Sequence, residues 1–107
     1  MTDFKDRERA EEKKYAMDEE TSFRVAARSN KLLGQWAAQK MSLTPEEADS
    51  YAKSVVQADF EEAGHEDVIR KVLGDLLQAG VETDEAEVRA ALEARTVEAR
   101  RQLIGEV

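Results

Sequence analysis

The sequence predicts an all-α protein, a four-helix bundle with a mobile, helix-capable N-terminal arm. The chain of 107 residues is long enough for one domain and too short for two. One proline and five glycines stand among long runs of good helix formers, and no segment has the pattern of a strand. Apolar residues recur at helical spacing in four segments, and clear helix boundaries separate these segments.

The first 17 residues form the predicted arm, because they are highly charged and carry few apolar side chains. Five acidic and five basic residues occur here, and Phe4, Tyr15 and Met17 are the only sizeable apolar residues. These three are too few to form a face that packs. Opposite charges at helical spacing, such as Arg7 with Glu11, still favour a helix once binding provides the energy to order it. The segment is therefore either a frayed tail or a helix that folds on a partner.

The first helix is predicted over residues 18–41 and contains the single tryptophan. Three carboxylates at its start suit the positive end of the helix dipole. Trp36 lies in the middle of the apolar stripe, so we expect it to bury the largest single area in the core. Ser29 and Gln35 are expected on or near the polar face. The stripe includes Val25, Leu32, Leu33 and Trp36.

The second helix is predicted over residues 45–63, after the strongest boundary in the chain. Thr44 suits the N-cap, and Glu47 follows three residues later to complete a capping box. The apolar face includes Tyr51 and Val55. We expect the ring of Tyr51 to be buried and its hydroxyl to remain in water.

The third helix is predicted over residues 66–79 and has the tightest apolar pattern. Its large apolar residues all fall on one face: Val68, Ile69, Val72, Leu73, Leu76 and Leu77. Glycine at position 80 is suited to end the helix. Across the first three helices, the residues predicted to hold the core are Val25, Leu32, Leu33, Trp36, Tyr51, Val55, Val72, Leu73 and Leu76.

The fourth helix, predicted over residues 84–104 with Thr83 or Asp84 as its cap, carries two apolar stripes. One is suited to close packing and consists of Ala86, Ala90, Ala94, Val97 and Ile104. The other lies on roughly the opposite side and consists of Val88, Leu92, Ala99 and Leu103. Only one stripe is needed for the core, but we expect both to pack within the protein rather than on a partner.

Composition argues against several function classes. A net charge of -8 opposes binding to a nucleic-acid backbone. Without cysteine and with one histidine, the chain has no donor set for a transition-metal site, and it contains no phosphate loop or nucleophile elbow. Asp59, at the edge of an apolar face, is interpreted as the ion-pair partner of a basic residue on another helix. The sequence thus predicts a binding or regulatory protein that is not an enzyme and requires no cofactor.

The N-terminus has no apolar run, so we expect no signal peptide and no membrane span there. We therefore expect a cytoplasmic protein that does not insert into the membrane. We also expect it to be a monomer when free of its partner.

Several segments resemble one known family. They are Asn30-Lys31-Leu32-Leu33-Gly34, Trp36-Ala37-Ala38, the preceding runs from Glu12 to Glu20 and from Phe23 to Ser29, the run from Tyr51 to Asp59 and the run from Glu61 to Val68. In these residues the chain resembles the zeta subunit of alphaproteobacterial F-type ATP synthases, a family of small inhibitors. The resemblance spans nearly the whole chain and is most specific in the first two segments.

The resemblance implies that the arm inserts as a helix between catalytic and rotor subunits of the catalytic head of ATP synthase and blocks rotation during ATP hydrolysis. The protein would then act at the inner face of the membrane, with the bundle supporting the arm. The arm residues that the resemblance assigns to partner binding are Phe4, Lys5, Arg7, Arg9, Glu12, Lys13, Lys14, Tyr15 and Met17.

Two alternative functions belong to other classes. One is a regulatory domain that weakly binds an adenine nucleotide in a cleft between helices and so controls the arm, although the acidic surface and the lack of a phosphate motif oppose it. The other is a scaffold that is recognised through the acidic part of the bundle. Residues 42–107 contain 16 acidic and seven basic residues.

Overall fold

The structure is a computed structural model that describes residues 19–61 and 65–104. It contains four helices in these ranges: α1 Glu19–Lys40, α2 Pro45–Glu61, α3 His65–Gln78 and α4 Glu85–Ile104. The described part contains no strand, so the predicted all-α, four-helix fold is confirmed. The predicted arm, residues 1–17, lies outside the described residues.

Local hydrogen bonds define where α2 and α4 begin. The amide of Thr44 donates to Oε1 of Glu47 at 2.9 Å, and the amide of Glu47 donates to Oγ1 of Thr44 at 3.2 Å, which is a reciprocal capping box. At α4 the amide of Glu87 donates to Oδ1 of Asp84 at 2.8 Å. Asp84 is therefore the N-cap of α4, while the hydroxyl of Thr83 donates to the Glu87 carboxylate.

A close crossing joins α1, the central helix, to α2. At Gly34 an added Cβ would lie 2.7 Å from the Cα of Ala52 and 3.3 Å from Cγ2 of Val55. Two helix backbones come this near only where one of them lacks a side chain, because packed atoms cannot overlap. Gly34 therefore sets the distance between the two helices that contact each other most extensively.

The last helix, α4, runs antiparallel along α1. Near the C-terminal end of α1, Nζ of Lys40 lies 3.8 Å from Oε2 of Glu87 in the first turn of α4. Towards the other end, Nη1 of Arg28 donates to Oε1 of Gln102 at 2.8 Å. The start of α1 and the end of α4 thus lie at the same end of the bundle, and α3 packs mainly against α2 and α4.

One continuous core joins all four helices. Its buried side chains are Leu33, Ala37, Val55, Val68, Ile69, Val72, Leu76, Val88, Ala91 and Leu92. Of the residues predicted to hold the core, five are buried, namely Val25, Leu33, Val55, Val72 and Leu76. Four are half-buried, namely Leu32, Trp36, Tyr51 and Leu73. Leu77, which was predicted on the apolar face of α3, is exposed because it lies at the edge of that face, about 100° from the buried Leu76.

Trp36 lies at the rim of the core rather than at its centre, in contrast to the sequence-based expectation. The crossing at Gly34 brings α2 so close to α1 that the fully buried positions after it are held by the small residues Ala37 and Ala38. The indole packs against the edge of the core instead. There Nζ of Lys40 lies 5.3 Å from the ring centroid, within the range of a cation–π contact.

The expectation that Ser29 lies on the polar face of α1 is wrong. Ser29 is only 1% exposed, because α1 is covered on two sides by α2 and α4 and has a wider buried face than its apolar stripe indicates. Its hydroxyl donates to the carbonyl oxygen of Val25 at 2.7 Å. This bond within the helix satisfies the hydroxyl and makes its burial tolerable.

Only one of the two apolar stripes of α4 faces inwards. Val88, Leu92 and Ala99 are buried, and Leu103 at the end of the same stripe is exposed. Ala86, Ala90, Ala94, Val97 and Ile104 are all exposed. The expectation that both stripes pack within the protein is therefore wrong for the stripe that runs from Ala86 to Ile104. The reason is that α4 lies on the outside of the bundle, where α1 and α3 cover a single side of it.

A polar link joins α2 to α3 at the edge of the core. The hydroxyl of Tyr51 donates to Oδ2 of Asp75 at 2.7 Å. The expectation that this hydroxyl remains in water is therefore wrong, because it is bonded to another side chain. Nζ of Lys71 donates to the same oxygen at 3.1 Å. The pKa of Tyr51 is raised well above its ordinary value of 10.0, first of all because the phenol is buried. The hydrogen bond to Asp75 and the negative charge of that carboxylate raise it further.

The crossing of α1 and α2 predicts opposite effects for two glycine-to-alanine substitutions. Gly34→Ala should lower the free energy of unfolding by about 1–3 kcal/mol, because its methyl group would overlap the α2 backbone. Gly74→Ala is the matched control, since a Cβ at this exposed position in α3 has no atom within 4 Å. It should raise stability by roughly 0.5–1 kcal/mol through helix propensity alone. Urea unfolding measures both, and equal effects would contradict the role of Gly34.

The Tyr51 link predicts a pH-dependent effect of Tyr51→Phe. Near neutral pH the substitution should lower the free energy of unfolding by about 1 kcal/mol, because one hydrogen bond is lost. As the pH rises above 10.0, the unfolded wild type releases the phenol proton that the folded state retains, so the wild type loses stability. The difference between the two proteins should therefore shrink in alkaline urea titrations. A difference that stays constant with pH would contradict the raised pKa.

Candidate partner-binding surface

An open groove lies at the end of the bundle where the predicted arm joins α1. The first half of α1, the last turn of α4 and one residue of α2 line it, and its volume is about 380 Å³. The lining residues are Phe23, Arg24, Ala27, Arg28, Lys31, Val56 and Leu103. The antiparallel packing of α1 and α4 creates this groove, because it places position 103 beside positions 23 to 28.

The floor of the groove is apolar and accessible. Phe23 is 52% exposed and Leu103 is 37% exposed, although both are large apolar residues. Ala27 and Val56 are half-buried between them. A contiguous apolar patch with a polar rim is the usual feature of a binding surface on a small protein.

Three cations from α1 border this floor. Arg24, Arg28 and Lys31 are spaced by four and three residues, so they lie along one side of the helix. Nη2 of Arg24 lies 2.9 Å from Oε2 of Glu20, and Arg28 donates to the side chain of Gln102. Within residues 19–61 and 65–104, Lys31 makes no ion pair or hydrogen bond. The groove is therefore locally cationic in a chain whose net charge is -8.

A second exposed apolar surface is the outer stripe of α4. Val97 is 52% exposed and Ile104 is 43% exposed, and alanines continue the stripe towards the start of the helix. The stripe is separate from the groove, because Val97 and Leu103 project from different sides of α4 at 100° per residue.

The ionisable groups with shifted pKa values near the start of α4 form a structural ion-pair network. The two terminal guanidinium nitrogens of Arg89 each donate to one carboxylate oxygen of Glu66 at 2.8 Å, and Nη2 also donates to Oε2 of Glu85 at 2.9 Å. The hydrogen bond from Arg89 holds the pKa of Glu66 below its ordinary value. The network lies about 21 Å along α4 from Leu103, so it joins α3 to α4 and does not contribute to the groove.

The described residues offer little chemistry beyond binding. In residues 19–61 and 65–104, no cluster of three or more His, Asp or Glu side chains is arranged to hold a metal ion. Asp59 is half-buried and forms no ion pair within this part of the chain, so its predicted pairing with another helix is not observed. Among the described helices, none is long and apolar enough to cross a membrane.

The sequence predicted binding residues in the arm but did not predict the groove. The nine residues assigned to partner binding, from Phe4 to Met17, lie outside the described residues. The groove was missed, because Phe23 and Leu103 are far apart in the sequence and meet only through helix packing. One available signal was the position of Phe23, which falls opposite Val25 on the helical wheel and therefore off the apolar stripe of α1.

Comparison with known proteins identifies a family and similarity to solved structures. A family model described as ATPase inhibitor subunit zeta matches residues 1–102 of the chain. A protein whose structure was solved by solution NMR is 52% identical in sequence and superposes with a TM-score of 0.68. The similarity covers 79% of this chain and 96% of that one. No curated protein matches the chain.

Proposed function

The chain belongs to the ATPase inhibitor subunit zeta family, and we propose that it inhibits ATP hydrolysis by the catalytic head of F-type ATP synthase. In this proposal residues 1–17 insert as a helix between catalytic and rotor subunits and block rotation. The observation that carries it is the extent of the family match, which begins at residue 1 and includes the arm together with the bundle. The arm is thus part of what the family shares.

The composition of the arm supports its role as the effector. Its five acidic and five basic residues give it no net charge, and its apolar residues are too scattered to form a face of a bundle. A segment of this kind is ordered by a partner rather than by its own contacts. Insertion of the arm into a cleft of another protein would bury the apolar residues of the arm and pair its charges. This is the helix-in-groove mode of recognition.

The contacts within the bundle support the proposal that it folds as a unit separate from the arm. Buried side chains from all four helices form one core within the described residues. In the same residues, no buried side-chain nitrogen or oxygen lacks a hydrogen-bond partner. The bundle therefore has the contacts that it needs to fold while the arm is occupied elsewhere.

A regulatory role without catalysis fits the same surface. Membership of an inhibitor subunit family points to association with ATP synthase rather than to a reaction of its own. The groove contains no pair of groups arranged as a nucleophile and a base, because its polar residues are three cations. The protein in this proposal is a monomer when free and acts at the inner face of the membrane through its partner.

A second candidate function is adenine-nucleotide binding, and the groove is the observation that favours it. Arg24, Arg28 and Lys31 offer positive charge, and the aromatic ring of Phe23 lies beside them. Phosphates and a base ring suit these two kinds of residue. The affinity in this proposal is weak, because the groove is open and has no glycine-rich phosphate loop.

Removing the arm should abolish inhibition. The test compares ATP hydrolysis by the soluble head of a matching ATP synthase with the full chain and with a chain that starts at Glu19. We expect inhibition by the full chain only, because the shorter chain has no segment to insert.

Two controls make this test specific. Circular dichroism and the fluorescence of Trp36 should show the same folded bundle in both chains. A full-length chain whose first 17 residues are replaced by a scrambled segment of equal composition should also fail to inhibit. Undiminished inhibition by the chain that starts at Glu19 would contradict the proposed role of the arm.

Nucleotide binding predicts amide shifts that are confined to the groove. On titration with ATP or ADP, the signals of Phe23, Arg28 and Lys31 should move, while those of Lys53 and Arg70 on other surfaces should stay in place. Lys31→Glu should weaken the effect, since it reverses a charge in the groove. The absence of any shift at millimolar nucleotide would end this candidate.

A further inference from the structure

The cationic row of α1 is arranged along a line rather than around a point. Arg24 and Lys31 are seven residues apart, which corresponds to about 10 Å along a helix axis. These residues lie inside α1, where the backbone amides already donate within the helix. A compact phosphate group would therefore meet one or two side chains and no free amides, whereas an extended row of carboxylates would meet all three cations.

The apolar floor beside this row also has the dimensions of a helix-binding surface. Phe23 and Ala27 are one turn apart on α1, and Leu103 faces them from α4. An amphipathic segment can place apolar side chains on this floor while its acidic side chains face the cations. The cations attract such a segment in spite of the net charge of -8, because salt screens the charges that lie more than a Debye length away.

The groove lies where the arm emerges from the bundle. Phe23 is four residues, or about 6 Å, from the first described residue of α1, and Lys31 is about 18 Å from it. If the arm occupies a cleft in the catalytic head, as the proposed function states, the first three turns of α1 must lie at the mouth of that cleft. The surface that they expose there is the groove.

We propose that the groove binds an acidic, amphipathic segment on the surface of the catalytic head, which then acts as a second contact besides the arm. This inference rests on the proposed function and adds a docking site on the bundle. Its apolar contacts come from Phe23 and Leu103, and its ionic contacts come from Arg24, Arg28 and Lys31. The second contact increases affinity because it tethers the arm close to its cleft.

Two substitutions in the groove, each with a matched control, test the docking site in the full-length chain. Lys31→Glu is compared with Lys53→Glu, which makes the same charge change on an exposed lysine of α2. Leu103→Gln is compared with Val97→Gln, which replaces an exposed apolar residue on another side of α4. Thermal unfolding of all four variants verifies that they remain folded.

The measured quantity is the concentration that gives half-maximal inhibition of ATP hydrolysis by the soluble head. Each groove variant should raise it roughly three- to tenfold over its control, because docking is weakened while the arm is intact. The effect of Lys31→Glu should decrease as salt is added, and that of Leu103→Gln should persist. Equal values for groove variants and controls would overturn the docking site and leave the proposed function intact.

Crosslinking identifies the occupant. The chain contains no cysteine, so Lys31→Cys provides a single attachment point for a photo-crosslinker. In the inhibited complex, we expect a crosslink to an acidic segment of a head subunit, and Lys53→Cys should give none. A crosslink from Lys31→Cys to residues 1–17 of the same chain would overturn the inference. The inference would also fail if ATP protected the thiol of Lys31→Cys from labelling and no crosslink to the head formed. A wild-type chain that does not inhibit would instead overturn the proposed function itself.

Discussion

The contact between Gly34 and Ala52 is the constraint on which the rest of the bundle depends. It lets the backbones of α1 and α2 approach until no side chain fits between them. This approach brings small residues to the buried face of α1 and moves the large indole of Trp36 to the rim. The larger core residues are Leu33 of α1 itself and side chains from the second half of α2, from α3 and from α4, which together fill the remaining space.

The position of α1 between two helices determines which of its surfaces are exposed to solvent. Because α2 and α4 both pack along it, α1 buries even a serine, and that serine satisfies its hydroxyl within the helix. What remains accessible near its start is a row of cations and an exposed phenylalanine. A bundle whose core is complete can present such a surface at its edge without a loss of stability, since exposed side chains contribute little to folding.

Polar contacts between helices lie at the edges of the bundle and differ in strength. The Tyr51 hydroxyl, half-buried, is held by Asp75 and shares that carboxylate with Lys71. The ion pairs of Arg89 are exposed, and such pairs contribute little because water and salt screen them. These links therefore add little to the free energy of folding, and burial of apolar surface provides most of the stability.

The sequence by itself determined the helical class, the number of helices and their approximate ends. Period-3.6 patterns, the capping box at Thr44 and the glycine at position 80 are local signals, and local hydrogen bonds in the structure follow them. The family resemblance, and with it the expected inhibitor role, also came from the order of residues. The tertiary structure alone decided that Trp36 is peripheral, that Ser29 is buried and which stripe of α4 faces inwards. It also brought Phe23 and Leu103 into one groove. Each of these outcomes depends on which helices are neighbours and how closely they approach. A helical wheel drawn for one helix contains neither quantity.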